Sequence, residues 1–315
     1  MNKCMVTGGA GFIGSNLVAC LLDEGQEVVV VDDFSTGKRK NLENLEGKIE
    51  LIEGDIRNHG LMIKAMEGCR MVFHQAALGS VPRSVKDPAH SHDVNVNGTL
   101  SVLETARKTG VGRVIFAGSS SVYGNTEESP KHENMQQRPA SPYAATKVAA
   151  ESYVRAWACS YGMETITLRY FNVFGPKQDP EGPYAAVIPA FISSFLHGRQ
   201  PVIFGDGKQS RDFCYIENAC RANLFAAKAP SESCDGRAVN IACSRAVNLL
   251  KILEILQELA GKDIAPEFKP QRPGDVRHSL ADISLAEKSI GYSPAVHFEE
   301  GLKKTVQWYR ENLRP

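Results

Sequence analysis

Nowhere in the 315 residues is there an apolar run approaching the ~20 residues that a membrane-spanning helix requires. The chain also lacks an excess of either charge. Lysine plus arginine and aspartate plus glutamate both number 36, with no block of one sign. Without a basic stripe nothing holds a nucleic-acid backbone, so any phosphate bound here is small and local. CxxC pairs are missing too: Cys4, Cys20, Cys69, Cys159, Cys214, Cys220, Cys234 and Cys243 are scattered, several inside apolar runs. That pattern reads as reduced thiols and excludes a disulfide framework and a cysteine zinc site. His90 and His92 form a lone HxH in a polar, loop-like stretch after Pro88, better read as solvated histidines than as metal ligands. Leu17-Val18-Ala19-Cys20 matches a lipoprotein cleavage box, but Gly8, Gly9, Gly11, Gly14, Ser15 and Asn16 break the apolar segment such a signal needs. With no metal, nucleic-acid or membrane partner indicated, the protein is expected in the cytoplasm.

What is present is strand-helix alternation. Short β-rich runs recur at Cys4 to Val6, Val28 to Val31, Ile49 to Ile52, Met71 to Phe73, Val114 to Ala117 and Ile166 to Leu168, with helical spacing between most of them, as at Ser15 to Glu24 and Val94 to Thr109. Such alternation predicts an α/β fold, a doubly wound parallel sheet with ligands at the strands' carboxyl ends. After Phe174 the texture changes to a Gly/Pro-rich loop through Pro183, then a helix-like segment from Ala185 to Leu196. A strand at Ala238 to Ala242 and an amphipathic helix from Leu249 to Leu259 follow. Residues 1–172 are therefore expected to form a dinucleotide-binding domain to which the chain returns over about 212–245, and residues 173–315 a smaller α/β substrate domain.

Thr7-Gly8-Gly9-Ala10-Gly11-Phe12-Ile13-Gly14 lies between the first strand and a helix. One glycine permits the tight turn, one lets backbone approach a pyrophosphate, and one allows close helix-strand packing, while the helix N-terminus presents amide donors. Asp32 closes the second strand 18 residues after Gly14, where a carboxylate accepts both ribose hydroxyls and repels a 2′-phosphate. NAD is thus favoured over NADP. Lys38 and Arg39 are the opposing observation, as charges that could reach such a phosphate or be solvated. Asp55, in Gly54-Asp55-Ile56 at the end of the third strand, is placed to contact the adenine amine.

Ser119-Ser120-Ser121-Val122-Tyr123-Gly124 follows the fifth strand, and Tyr143-Ala144-Ala145-Thr146-Lys147 opens a helix after Pro142. Residues four apart share a helix face, so the Lys147 ammonium can lie under the Tyr143 ring. A phenol titrating near 10 is a poor base at neutral pH; an adjacent ammonium and a cationic nicotinamide favour its phenolate. Taken alone, YxxxK also describes an ordinary helix tyrosine with a solvated lysine; the ordered combination with the glycine turn and Asp32 points to catalysis.

With TGGAGFIG, Asp55-Ile56, SSSVYG, YAATK and the later RYFNVFGP in hand, nearly the whole chain resembles the extended short-chain dehydrogenase/reductases. The resemblance implies Ser119, Tyr143 and Lys147 as catalytic residues and NAD held by Gly8, Gly11, Phe12, Ile13, Gly14, Asp32, Asp33, Ser35, Thr36, Gly37, Asp55, Ile56, Gln75, Ala76, Ala77, Tyr143, Lys147 and Tyr170, with Phe171 also near the nicotinamide. Dehydratases and decarboxylases of this family carry an acid beside the catalytic hydroxyl, where this chain has Ser120-Ser121. Gly205 to Phe213 and Arg272-Pro273-Gly274-Asp275 are similar to segments of UDP-sugar 4-epimerases. By that similarity Ser80, Ser119, Ser121 and Tyr143 contact the sugar, Asn172, Arg211 and Arg272 the diphosphate, Asp275 the uridine ribose, and backbone at Ala186 and Val187 the uracil. Ser279 stands where epimerases restricted to simple hexoses carry a tyrosine, leaving room for an N-acetyl group. The implied activity is interconversion of UDP-GlcNAc and UDP-GalNAc, with UDP-glucose and UDP-galactose as a second pair: the sugar is oxidised at C4 by bound NAD, turns about its diphosphate tether, and is reduced on the other face. A UDP-glucuronate 4-epimerase and a catalytically inert NAD-sensing protein are the alternatives, and a homodimer is expected by family analogy.

Overall fold

The computed structural model describes residues 2–181, 185–271 and 277–313. Strands β1 (Lys3–Thr7), β2 (Glu27–Asp32), β3 (Ile49–Glu53), β4 (Met71–His74), β5 (Arg113–Ser119) and β6 (Glu164–Tyr170) join Asp235–Ile241 in one seven-stranded sheet. Every pairing is parallel. Its order is Asp235–Ile241, β6, β5, β4, β1, β2, β3, so the chain winds one way from β1 to β3 and the other way from β4 onward. The crevice of a doubly wound sheet opens at that reversal, between the carboxyl ends of β1 and β4.

Helices cover both faces, in keeping with the nearly continuous apolar runs of the inner strands β1, β2 and β4. On one face α1 (Phe12–Asp23) and helix Ile216–Lys228 bury Leu17, Val18, Leu21, Ala219, Ala222 and Ala226 against Val6, Val30, Phe73, Ile115 and Leu168. On the other, α2 (His59–Ala65), α5 (Gly98–Thr109) and α6 (Pro142–Tyr161) bury Met62, Val102, Leu103, Ala106, Ala150 and Val154 against Met5, Val29, Val31, Val72 and Val114. Burying each of the Leu, Val, Ile, Phe and Met side chains among these contributes roughly 2 kcal/mol against the entropy of ordering it.

Between β4 and α5 lie the short helices α3 (Val81–Lys86) and α4 (Pro88–His92) and a single π-turn, Asp93–Asn97, that runs directly into α5. His90 and His92 therefore sit on a helix, not in a loop: Asp87 caps it by accepting from the His90 amide at 3.0 Å, and Pro88 occupies its first turn. Beyond β6 the small strands form three patches: Val173–Phe174 with Cys214–Tyr215, Ser210–Asp212 between Ala246–Asn248 and His278–Ser279, and Val202–Phe204 with Glu267–Lys269. Helices Val187–Leu196, Leu249–Ala260 and Phe298–Asn312 pack over them, and their Phe191, Leu253 and Phe298 join the same apolar cluster as the α1 face of the sheet. No helix among the described residues is long and apolar enough to cross a membrane.

Candidate active site

The glycine turn is shaped by backbone contacts that a side chain would prevent. Gly8 has φ +67°, and a Cβ on Gly14 would stand 2.1 Å from the Gly8 carbonyl oxygen. This close fit leaves backbone as the floor of a cleft whose walls come from the loops after β1, β2, β3 and β4, from the ends of β5 and β6 and from the first turns of α6. All the cofactor positions expected from sequence line it together: Gly8, Gly11, Phe12, Ile13, Gly14, Asp32, Asp33, Ser35, Thr36, Gly37, Asp55, Ile56, Gln75, Ala76, Ala77, Tyr143, Lys147 and Tyr170. Leu78, Gly79, Val94, Ala117 and Gly118 add to the wall.

Asp32 is almost fully buried and accepts from the Ala10 amide at 2.8 Å and the Phe34 amide at 2.9 Å. Burial raises its pKa from the ordinary carboxylate value, and those two amides counter the rise. Gly37 is required beside it, since a Cβ there would lie 2.7 Å from the carboxylate. Both basic residues nearby are engaged elsewhere. Lys38 pairs with Asp179 at 2.7 Å, while Arg39 pairs with Glu53 and lies 4.2 Å over the Phe34 ring. A backbone floor, a buried acceptor at the end of β2 and neutralised cations fit a dinucleotide with free ribose hydroxyls, as in NAD. Asp55, two residues past β3, forms a chelated pair with the Arg57 guanidinium, which holds its carboxyl below the usual range.

The helix carrying YxxxK starts where its signals place it. Ser141 accepts from the Ala144 amide at 3.2 Å, and Pro142 follows at the first helical position. Ser84 adds an anchor from α3: its hydroxyl accepts the Tyr143 amide at 2.9 Å and donates to the Val81 carbonyl at 2.7 Å. Lys147 is buried, donates to the Ala117 carbonyl at 2.8 Å and stands 4.8 Å over the Phe116 ring. Desolvation pulls its pKa down to about 8. Burial raises the Tyr143 pKa, and a hydrogen bond to Ser119 is the counterweight. In the protein alone this phenol is neutral at pH 7.

Ser119 closes β5, where its hydroxyl also accepts from the Ser121 amide at 3.2 Å. The Ser121 hydroxyl is buried without a partner among the described residues. Tyr170 holds its phenol between Asn223 (2.7 Å) and Gln75 (3.3 Å) at the cleft wall. Phe171, expected beside it, is instead fully buried against Tyr123, because successive residues of an extended chain point to opposite sides.

The expected positions Ser80, Asn172, Ala186, Val187, Arg211 and Ser279 do not line this cleft; they stand on helix starts, on short strands and just past the end of β6. Ser80 caps α3 by accepting from the Arg83 amide at 3.3 Å. Asn172 adopts φ +34°, unusual for a non-glycine residue, and donates to the Asp212 carbonyl at 2.9 Å. Ala186 and Val187 form the start of helix Val187–Leu196. Arg211 donates to the carbonyls of Ser210 (2.9 Å) and Arg277 (3.2 Å), and the parallel register sets Ser279 opposite it. Arg272 and Asp275 lie outside the described residues.

Sequence reasoning missed Asp212, although it adjoins Arg211. This buried carboxylate accepts from the Cys243 amide at 2.9 Å and the Ala281 amide at 3.2 Å, tying the end of the sheet to the Ser279 segment. Burial pushes its pKa up to about 6. Also missed were Thr7, His74, Asn95, Thr99 and Thr146, a buried hydrogen-bonded set behind the cleft.

The model of the NAD dependent epimerase/dehydratase family matches residues 4–242. UDP-glucose 4-epimerase from Thermotoga maritima, solved with UDP-glucose, is 38% identical with a TM-score of 0.94, over 99% of this chain and 100% of that one. UDP-N-acetylglucosamine 4-epimerase from Methanobrevibacter ruminantium, in complex with UDP-N-acetylmuramic acid, is 39% identical with a TM-score of 0.94, over 98% of each chain. UDP-glucuronic acid 4-epimerase from Bacillus cereus, solved with UDP-glucuronic acid and NAD, is 31% identical with a TM-score of 0.91, over 98% of this chain and 99% of that one. The glycine turn, the cleft and these similarities agree: the chain belongs to the NAD-dependent epimerase/dehydratase family, within the extended short-chain dehydrogenase/reductase group that holds the UDP-sugar 4-epimerases, and is an NAD-dependent enzyme.

Proposed function

We propose that this enzyme is a UDP-sugar 4-epimerase acting on UDP-GlcNAc and UDP-GalNAc, with UDP-glucose and UDP-galactose as a second pair. The observation that carries the reaction type is the placement of carboxylates. Among the described residues lining the cleft these are Asp32, Asp33 and Asp55, at or just past the ends of β2 and β3, on the far side of β1 from Tyr143. The Tyr143 end offers hydroxyls and an ammonium but no acid for the additional proton transfers of dehydration. The small Ser279, set opposite Arg211, supports a pocket wide enough for an acetylated sugar.

NAD, when bound, supplies the acceptor and donor for a hydride at the sugar's C4. Tyr143 receives the 4-hydroxyl proton, with Ser119 as hydrogen-bonded relay. Because burial keeps the free phenol neutral, its ionisation depends on the positive charge of Lys147 and of the oxidised cofactor. Arg211, joined by Arg272, holds the diphosphate while the sugar turns. Asn172 and the first turn of helix Val187–Leu196 complete the nucleotide end, with Asp275 on the ribose.

We infer a homodimer through α5 and α6, supported by the exposed rings of Tyr153 and Tyr161 and by the Trp157 indole nitrogen, which has no partner among the described residues. The reading of function is tested by giving the purified protein UDP-GlcNAc, UDP-glucose and UDP-glucuronate separately, without added NAD, and identifying products by proton NMR. Formation of the 4-epimers of the first two supports it. Conversion of UDP-glucuronate alone would move the assignment to that sugar, and retention of turnover in Tyr143→Phe would remove it altogether.

A further inference from the structure

His74 ends β4 fully buried between two threonines, and the proton positions of its neighbours determine its own. The Thr99 hydroxyl lies 2.6 Å from the Asn95 carbonyl, which can only accept, so its one proton is committed there. At 3.0 Å from His74 Nε2 the same oxygen must then accept, which puts a proton on Nε2. On the other side Thr7 Oγ1 accepts the Ala76 amide at 3.3 Å and is left to donate to His74 Nδ1 at 2.7 Å. Every proton in the row Ala76, Thr7, His74, Thr99, Asn95 therefore points the same way. Protonating Nδ1 would orphan the Thr7 hydroxyl proton and add a second cation near Lys147; burial, helped by that lysine's charge, already holds the ring neutral, with a pKa of about 3.

The row continues to the catalytic helix. Asn95, in the π-turn, accepts the Leu78 amide at 2.8 Å and donates to Thr146 Oγ1 at 3.0 Å, and Thr146 donates to the Tyr143 carbonyl at 2.7 Å. Ala76 and Leu78 are cleft wall; Thr7 immediately precedes the glycine turn. We propose that His74 is a positioning residue for the dinucleotide: a neutral, Nε2-protonated strut that fixes the Ala76–Leu78 wall against the glycine turn and in register with the helix bearing Tyr143 and Lys147. An imidazole suits the place because it offers one acceptor and one donor on opposite sides of a rigid ring, which directs hydrogen bonds into both threonines at once.

Two measurements on the full chain test this. Long-range proton–nitrogen correlation spectra of protein labelled with ¹⁵N-histidine, with the His74 signal identified by its loss in His74→Gln, are expected to show a neutral ring carrying its proton on Nε2. A doubly protonated ring or an Nδ1-protonated tautomer would overturn the proposal. In the second, NAD is titrated into protein freed of dinucleotide. Thr99→Val, which keeps the shape and deletes the hydroxyl, is expected to weaken NAD binding about tenfold, whereas Thr99→Ser stays within about twofold of the parent. Parent-like binding by Thr99→Val, or equal weakening in Thr99→Ser, would leave His74 a packing residue only. Neither readout depends on which sugar the enzyme takes.

Discussion

Replacing Lys147 with methionine separates the stability of the fold from the chemistry of the site. The ammonium is buried, and an amine that titrates near 8 instead of 10.5 has its charged form disfavoured by about 3 kcal/mol in the folded protein. Lys147→Met removes that cost together with a charged hydrogen bond to Ala117, itself contributing about 1.5–3 kcal/mol, so the two changes nearly offset. At pH 7 the variant is expected to melt within a few degrees of the parent. Turnover should nevertheless fall by about 10²–10⁴, because the Tyr143 phenol, already raised by burial, loses the cation that favours its ionised form. The pH dependence carries a sign. Between about 8 and 10.5 the unfolded chain holds a proton on this lysine that the folded one has released, so the parent gains stability as pH rises through that window. The variant lacks this gain. Urea titrations of both proteins at pH 7 and 9.5, in the same cofactor state, measure it directly. Turnover within about threefold of the parent, or identical pH slopes, would refute the reasoning.

The other residues make narrower predictions. Ser279→Tyr, opposite Arg211, should reduce turnover of UDP-GlcNAc at least about tenfold while sparing UDP-glucose, as read from paired steady-state assays. In Gly14→Ala the new methyl meets the Gly8 carbonyl at 2.1 Å, so destabilisation of about 1–3 kcal/mol and loss of co-purifying NAD are expected, seen by melting and by absorbance of released dinucleotide. Asp212 has its folded pKa raised to about 6, so its contribution to stability is present below about 4 and lost as pH rises through 6; Asp212→Asn should flatten that part of the pH–stability curve. Arg211→Ala should raise KM for the UDP-sugar about tenfold or more with a smaller change in kcat, measured at saturating substrate.

The parts of the molecule legible in the sequence are those coded by short-range periodicity. The glycine turn, Asp32 at the end of β2 and the tyrosine four residues before Lys147 each declare themselves within a window of a few residues, because strand alternation and the helical repeat fix where their neighbours point. Where a local signal was read too coarsely, the structure corrects it. Asp87 before Pro88 starts a helix under His90 and His92, and Phe171 faces the core because Tyr170 faces the cleft. What stays hidden depends on partners distant in the chain. His74 finds Thr7 across 67 residues, and Asp212 finds the Ala281 amide across 69. The direction of the Tyr143 shift was hidden for a related reason: helical spacing brings Lys147 to the same face but does not reveal how deeply the phenol is buried.

The most direct measurement uses a UDP-sugar carrying deuterium at C4, incubated with the purified enzyme in ordinary water without added NAD. A 4-epimer that keeps its deuterium is predicted, since the hydrogen leaves and returns to one carbon as hydride and does not exchange with water. An epimer that has lost the label to solvent, or no epimer from any UDP-hexose offered, would contradict the account.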